Sequence, residues 1–208
     1  MAKTYTREEF VKKYGGFIHH VTKGTGILAG ILVSQAIIES QGKVDGSYRV
    51  GGSKLSQNAN NYFGIKCHSW KGKTYNIDTG EQNPDGTTYT DKNACFRKYD
   101  SVEDSMRDYI HFLQSNQRYT EAGVFRAKTV LEQAEALKRG GYATSVRYVD
   151  TVMSVYNGVK QYVAQYTKYK FGNAVGGFLV RNRKLILISV SSVAIGIGAY
   201  FIIKSKKG

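Results

Sequence analysis

Between Ile27 and Glu39 the chain is apolar on nearly every side of a helix. Ile27, Leu28, Ile31, Leu32, Gln35, Ile38 and Glu39 recur at helical spacing. A helix with so little wet face has to be wrapped by other elements, so the chain must build a domain around it. Gln41-Gly42 closes it, with glycine as the natural residue just past a helix end. Glu39 is the exception in this helix, one turn from its end. A carboxylate there costs free energy unless it is paired or protonated. Burial raises a carboxyl pKa, which suits a general acid that protonates a glycosidic oxygen. By position alone, a glutamate on a wet helix face is the simpler reading.

The remaining pattern is helical with one β-excursion. Thr6 followed by Glu8 and Glu9 marks an N-cap with acids in the first turn, and a helix to about His20. Residues 43–61, rich in Gly, Ser, Asn and Gln, are expected to form a long ordered loop. From Tyr62 to Tyr99, strand-favouring residues such as Tyr75, Ile77, Thr87, Thr88, Tyr89 and Phe96 alternate with turn signals at Gly72, Gly80 and 83–86. This is expected to be a small β-lobe. Ser101-Val-Glu-Asp resembles a capping box opening a helix to about Leu113. Further helices are expected over 130–138 and from about Ser145 through Tyr156. The expected fold class is α+β.

The 208 residues suit one domain of about 150 residues plus an appendage. The net charge of +14 is unevenly spread: all 16 acids precede residue 161. A basic body fits a polyanionic target or plain solubility, and a purely basic tail fits a membrane surface or nucleic acid. Residues 185–203, LILISVSSVAIGIGAYFII, carry no charge and are bracketed by Arg181, Arg183 and Lys184 and by Lys204, Lys206 and Lys207. As a helix they nearly cross a hydrocarbon core of roughly 30 Å. The expected organisation is therefore a domain at 1–160, a basic linker at 161–184, a transmembrane helix at 185–203 and a basic tail at 204–208. Membrane lipid is the partner expected for 185–203. The linker's basic residues are accounted for by anionic lipid, so a nucleic-acid partner is not expected. The first residues are polar and lack the apolar run of a signal peptide.

Two segments, LVSQAIIESQGKVDGS at 32–47 and NNYFGIKCHSWKG at 60–72, closely resemble the signatures of the glucosaminidase domain, glycoside hydrolase family 73. The pattern continues in ACFRKYDSVEDSMRDYIHFLQSNQRY at 94–119 and ends in GGYATSVRYVDTVMSVY at 140–156. The resemblance covers roughly residues 5–160. It implies a lysozyme-like fold and hydrolysis of the β-1,4 bond after N-acetylglucosamine in peptidoglycan, with no cofactor. It places the catalytic glutamate on Glu39 and a transition-state or water-positioning tyrosine on Tyr142. A second acid of the β-lobe falls nearest on Glu81, with Asp78 and Asp85 as rivals. Asn60, Asn61 and Phe63 are expected to line the sugar groove. Trp70 and Tyr62 either stack on sugar faces or pack in the core.

Other chemistries are weakly represented. His19, His20, His68 and His111 show no ligand spacing, and no metal site is expected. Cys67 and Cys95 each lie beside a lobe strand, where they either bridge or remain two buried thiols. Glu39-Ser40 also fits the Glu-Ser motif of a lytic transglycosylase or muramidase, but the Gly-Leu-Met-Gln segment expected after it is missing. A non-catalytic, membrane-anchored virion or wall-binding protein is the alternative outside enzymes. A span without an export signal points to a phage protein, acting in host lysis or from an internal virion membrane during infection.

Overall fold

The computed structural model describes residues 3–82, 87–143 and 145–167, with 81, 82 and 167 described by backbone alone. They lie within one compact unit, Met1–Lys168. The elements are α1 (Arg7–Thr22), α2 (Ala29–Ser40), β1 (Gly42–Val44), β2 (Ser47–Arg49), α3 (Lys54–Ala59), β3 (Thr74–Gln82), β4 (Thr88–Arg97), α4 (Val102–Ser115), α5 (Gln117–Glu121), a 3-10 turn (Val124–Arg126), α6 (Val130–Arg139) and α7 (Tyr148–Thr167).

Helix α2 is the centre of the fold. It packs against α1, α6 and α7, and Ile31, Leu32, Val33, Ala36 and Ile37 are fully buried. Gly30 lets its neighbours come close: a Cβ there would stand 2.7 Å from Val130 Cγ2 and 2.7 Å from Tyr156 Cε2. The start of α2 has no side-chain cap of its own. The fully buried Gln133 of α6 serves instead. Its Oε1 accepts from the Leu28 N–H at 2.7 Å, while its Nε2 donates to the carbonyls of Gly26 and Val124, both at 2.7 Å. One amide thus satisfies three backbone groups that burial would otherwise orphan.

The expected caps form. Thr6 and Glu9 make a reciprocal capping box on α1. Ser101 accepts from the Asp104 N–H at the start of α4, and Thr129 with Glu132 caps α6.

The segment expected to be one long loop holds more structure. β1 and β2 pair antiparallel, joined by Asp45 and Gly46, both at positive φ (48° and 82°). This Asp-Gly pair is the turn chemistry of a two-residue hairpin. Helix α3 follows. The β-lobe is narrower than expected: Tyr62, Phe63 and Ile65 are buried outside any strand. Its strands β3 and β4 pair antiparallel, with a bulge between Ile77 and Thr79, and Lys66 makes an isolated bridge to Phe96.

The fold class needs one correction. The lysozyme-like α+β domain with a small β-lobe is present, but among the described residues no helix is long and apolar enough to cross a membrane. Residues 185–203, on which the transmembrane expectation falls, lie outside the described residues. Among the described residues the fold class is the α+β domain. The phage role rests on that span and carries no support from the described domain.

Candidate active site

Three pieces of chain converge on a groove of about 450 Å³. The C-terminal turn of α2 supplies Glu39. The segment after α3 supplies Phe63, Gly64, Ile65, Lys66 and His68. The β3–β4 hairpin supplies Thr79, Gly80 and Phe96 as one wall. Phe112, Arg118, Tyr119 and Tyr142 close the opposite side.

The floor segment is stitched to the hairpin. Asn61 is fully buried, and its side chain donates to the carbonyls of Ile65 (3.0 Å) and Arg97 (2.9 Å). Its Oδ1 accepts from the N–H groups of Phe63 (3.3 Å) and Ile65 (3.2 Å). All the capacity of that amide is used, so Asn61 shapes the floor rather than offering donors to a sugar. Asn60 ends α3 in the left-handed region (φ 50°) and donates to the Tyr99 carbonyl at 3.1 Å. Neither asparagine lines the groove, whereas Phe63 does. Cys67, between Lys66 and His68, is bridged to Cys95 of β4, with Cα atoms 5.4 Å apart. The Cys67 N–H also donates to the Cys95 carbonyl at 2.9 Å. Of the two states open to these cysteines, the bridged one occurs.

Glu39 combines two properties that seldom occur together. Its side chain is exposed, because it opens into the groove. Yet the protein crowds the carboxyl closely enough that desolvation raises its pKa from the ordinary 4.5 to about 7. The setting is a concave floor rather than an open helix face. Such a carboxyl still carries its proton near neutrality, as a general acid requires.

Behind the groove lies a cluster of phenols. The Tyr142 ring contacts those of Tyr109 (5.9 Å), Tyr119 (6.3 Å) and Tyr148 (6.1 Å). Tyr109 stacks at 4.3 Å on Phe63 of the floor. Burial, with a further contribution from the negative charge of Glu39, holds the protons of Tyr109, Tyr142 and Tyr148 more tightly than usual. These hydroxyls are donors, not bases. Tyr119 is buried and also lines the groove.

The other expected site residues are placed as follows. Glu81 lies on β3 opposite Tyr89, two positions beyond the groove-lining Thr79. Asp78 accepts from the Asn93 N–H at 2.8 Å and so holds the bulge of the hairpin. Asp85 lies outside the described residues. Trp70 is away from the groove lining. Its Nε1 donates to the Lys73 carbonyl at 2.9 Å, and its ring meets Tyr99 and the Arg97 guanidinium. Tyr62 is buried in the core against Phe10. The sequence reading misses the basic lining of Lys66, His68 and Arg118. Lys66 and His68 come from the segment after α3 and Arg118 from α5, and no local pattern joins the two.

A glutamic acid whose pKa is raised by desolvation, at the end of a buried helix and in a groove walled by a two-stranded lobe, defines a lysozyme-like glycoside hydrolase site. Solved structures share the fold. A peptidoglycan hydrolase mutant from Sphingomonas sp. A1 matches with TM-score 0.58 at 27% identity, covering 76% of this chain and 99% of that one. The catalytic domain of the autolysin Auto from Listeria monocytogenes matches with TM-score 0.59 at 26% identity, covering 80% and 90%. In sequence, residues 17–161 match the Glucosaminidase family, described as mannosyl-glycoprotein endo-beta-N-acetylglucosaminidase. The chain belongs to this glucosaminidase family of glycoside hydrolases. Among curated relatives, the peptidoglycan hydrolase FlgJ of Vibrio parahaemolyticus is 32% identical over 159 residues, 74% of this chain and 48% of its own length. The exo-glucosaminidase LytG of Bacillus subtilis is 29% identical over 152 residues, 72% and 50%. The chain thus spans about half the length of these relatives.

Proposed function

We propose that this domain hydrolyses peptidoglycan at the β-1,4 bond following N-acetylglucosamine, with Glu39 as the general acid. The observation that carries this reading is Glu39 opening into the groove from the end of a buried helix, where desolvation raises its pKa to about 7. Its proton passes to the glycosidic oxygen as the bond to the anomeric carbon breaks. Positive charge then builds on the sugar ring, and water adds to the anomeric carbon. A second group must manage that charge or that water. Glu81, on the groove-forming hairpin, and Tyr142, in the groove lining, are the candidates. Tyr142 keeps its proton, so its role is to position the attacking water by a hydrogen bond. Lys66, His68 and Arg118 suit a glycan that carries carboxylates.

The place of action proposed is the bacterial cell wall. The Cys67–Cys95 bridge fits folding or service in an oxidising compartment. The test is mass spectrometry of muropeptides released from purified walls by the wild type and by Glu39→Gln. New reducing ends on N-acetylglucosamine, absent with the variant, are the expected result. Reducing muramic acid ends, or anhydro-muramic ends, would assign the chemistry to a muramidase or a lytic transglycosylase. Undiminished release by Glu39→Gln would remove Glu39 from the mechanism.

A further inference from the structure

Gln35 precedes Glu39 by one turn on α2. It is fully buried and takes no part in the groove lining. Its Nε2 donates to the hydroxyl of Tyr148, the first residue of α7. Its Oε1, also buried, accepts nothing. Its buried neighbours on α2 include Ile31, Leu32, Val33, Ala36 and Ile37 beside the small hydroxyls of Ser34 and Ser40, and in that setting a long amide left half satisfied is a local conflict. An apolar side chain of similar length would avoid it. Conflicts of this kind are expected where function outweighs packing.

Tyr148 connects this amide to the site. It is 6% exposed, and its ring meets Tyr142, which lines the groove. Since its oxygen accepts from Gln35, its own proton is left to point elsewhere. The Glu39 charge is felt at Tyr148 ahead of that at Tyr119. Residues i and i+4 share a helix face, so anything that fixes Gln35 fixes the turn carrying Glu39.

We propose that Gln35 and Tyr148 are positioning residues for Glu39: their hydrogen bond ties the turn of α2 just before Glu39 to the first turn of α7 and holds the Glu39 carboxyl in place at the groove floor. Neither touches substrate; both act through Glu39. The proposal rests on reading Glu39 as the general acid.

The test compares kcat, KM and pH–rate profiles of the wild type, Tyr148→Phe, Gln35→Met and the double variant on purified glycan strands, with melting curves to confirm folding. Tyr148→Phe keeps the ring and removes only the hydroxyl. Each single variant is expected to lower kcat by about 10- to 100-fold, because a small misplacement of a catalytic group costs that much. KM is expected to stay within about twofold. The alkaline limb is expected to move to higher pH by about half a unit, because the ionised carboxyl loses polar support. The double variant is expected to match the singles, because the two residues form one link. Should Tyr148→Phe fail to fold, Gln35→Met is read against the same expectations. A folded variant with an unmoved limb, a loss confined to KM, or a double variant whose losses multiply overturns the proposal. If Glu39→Gln is inactive while Tyr148→Phe behaves as wild type, this inference fails alone. If Glu39→Gln is active, the underlying reading fails instead.

Discussion

The guanidinium of Arg97 meets both carboxylate oxygens of Asp108, at 3.1 and 2.8 Å, joining the end of β4 to the middle of α4. Both side chains are about nine-tenths buried, and the Tyr99 hydroxyl donates to the same carboxylate at 2.6 Å. The Arg97 Nε also donates to the Lys66 carbonyl of the groove floor at 3.3 Å. The pair therefore fixes the hairpin wall and the floor against the helical body. Asp108→Asn leaves a buried cation without its partner. It should cost about 3–5 kcal/mol, read as a lowered urea midpoint with little change in slope.

Glu39 should leave two pH signatures. As a general acid it works protonated, so kcat should be flat below pH 7 and fall about tenfold per unit well above it. The second signature is in stability. A carboxyl whose folded pKa lies above its unfolded value binds its proton more tightly when folded. That contribution is fully present below about 4.5 and is lost as pH rises through about 7. Glu39→Gln has no such titration. Its melting temperature relative to the wild type should therefore rise between pH 4.5 and pH 8. A constant difference across that range contradicts the raised pKa.

The hydroxyl of Tyr142 can be removed without disturbing its ring contacts with Tyr109, Tyr119 and Tyr148. Tyr142→Phe is expected to lower kcat by about 10²-fold, the scale for losing one transition-state donor. KM and melting temperature should barely change. A rise in KM alone would place Tyr142 in substrate binding only.

Opening the Cys67–Cys95 bridge should loosen the wall and the floor together, because its two ends flank the groove-lining Lys66, His68 and Phe96. Closing a segment with separation 28 contributes about 3–4 kcal/mol. Cys67→Ser with Cys95→Ser, or reduction of the wild type, should lower the denaturation midpoint accordingly. Unchanged stability after verified reduction would show that the backbone hydrogen bonds alone hold this region.

Gln133→Leu preserves bulk while orphaning the Leu28 N–H and the carbonyls of Gly26 and Val124. About 3 kcal/mol of destabilisation is expected, measured by chemical denaturation. The glycosidic activity of the folded fraction should change little, since this plug sits at the opposite end of α2 from Glu39.

Much of the site was legible because family motifs are contiguous. Glu39, Phe63 and Tyr142 fall within such runs and all line the groove. Asn60 and Asn61 fall within one too, yet their amides turn inward, because the fold brings the carbonyls of Tyr99, Ile65 and Arg97 within reach. A motif gives the position of a residue in the chain but not its hydrogen-bond partners. The β1–β2 hairpin was legible in principle from Asp45-Gly46, but its three-residue strands leave too little alternation to see. Lys66, His68 and Arg118 also fall within motif runs, but nothing in either run shows that the fold sets the two segments around one groove.

The sequence by itself determined the helical frame: Thr6 and Ser101 as caps, and an α2 too apolar to lie anywhere but the centre. These properties depend on neighbours within about one helical turn, and a reader of the chain has those neighbours in view. Tertiary structure decided the rest. It bridged Cys67 to Cys95, used Gln133 to finish α2, joined Gln35 to Tyr148 and raised the pKa of Glu39 by desolvation. Each of these depends on desolvation or on partners tens of residues away, which only the folded chain brings into contact.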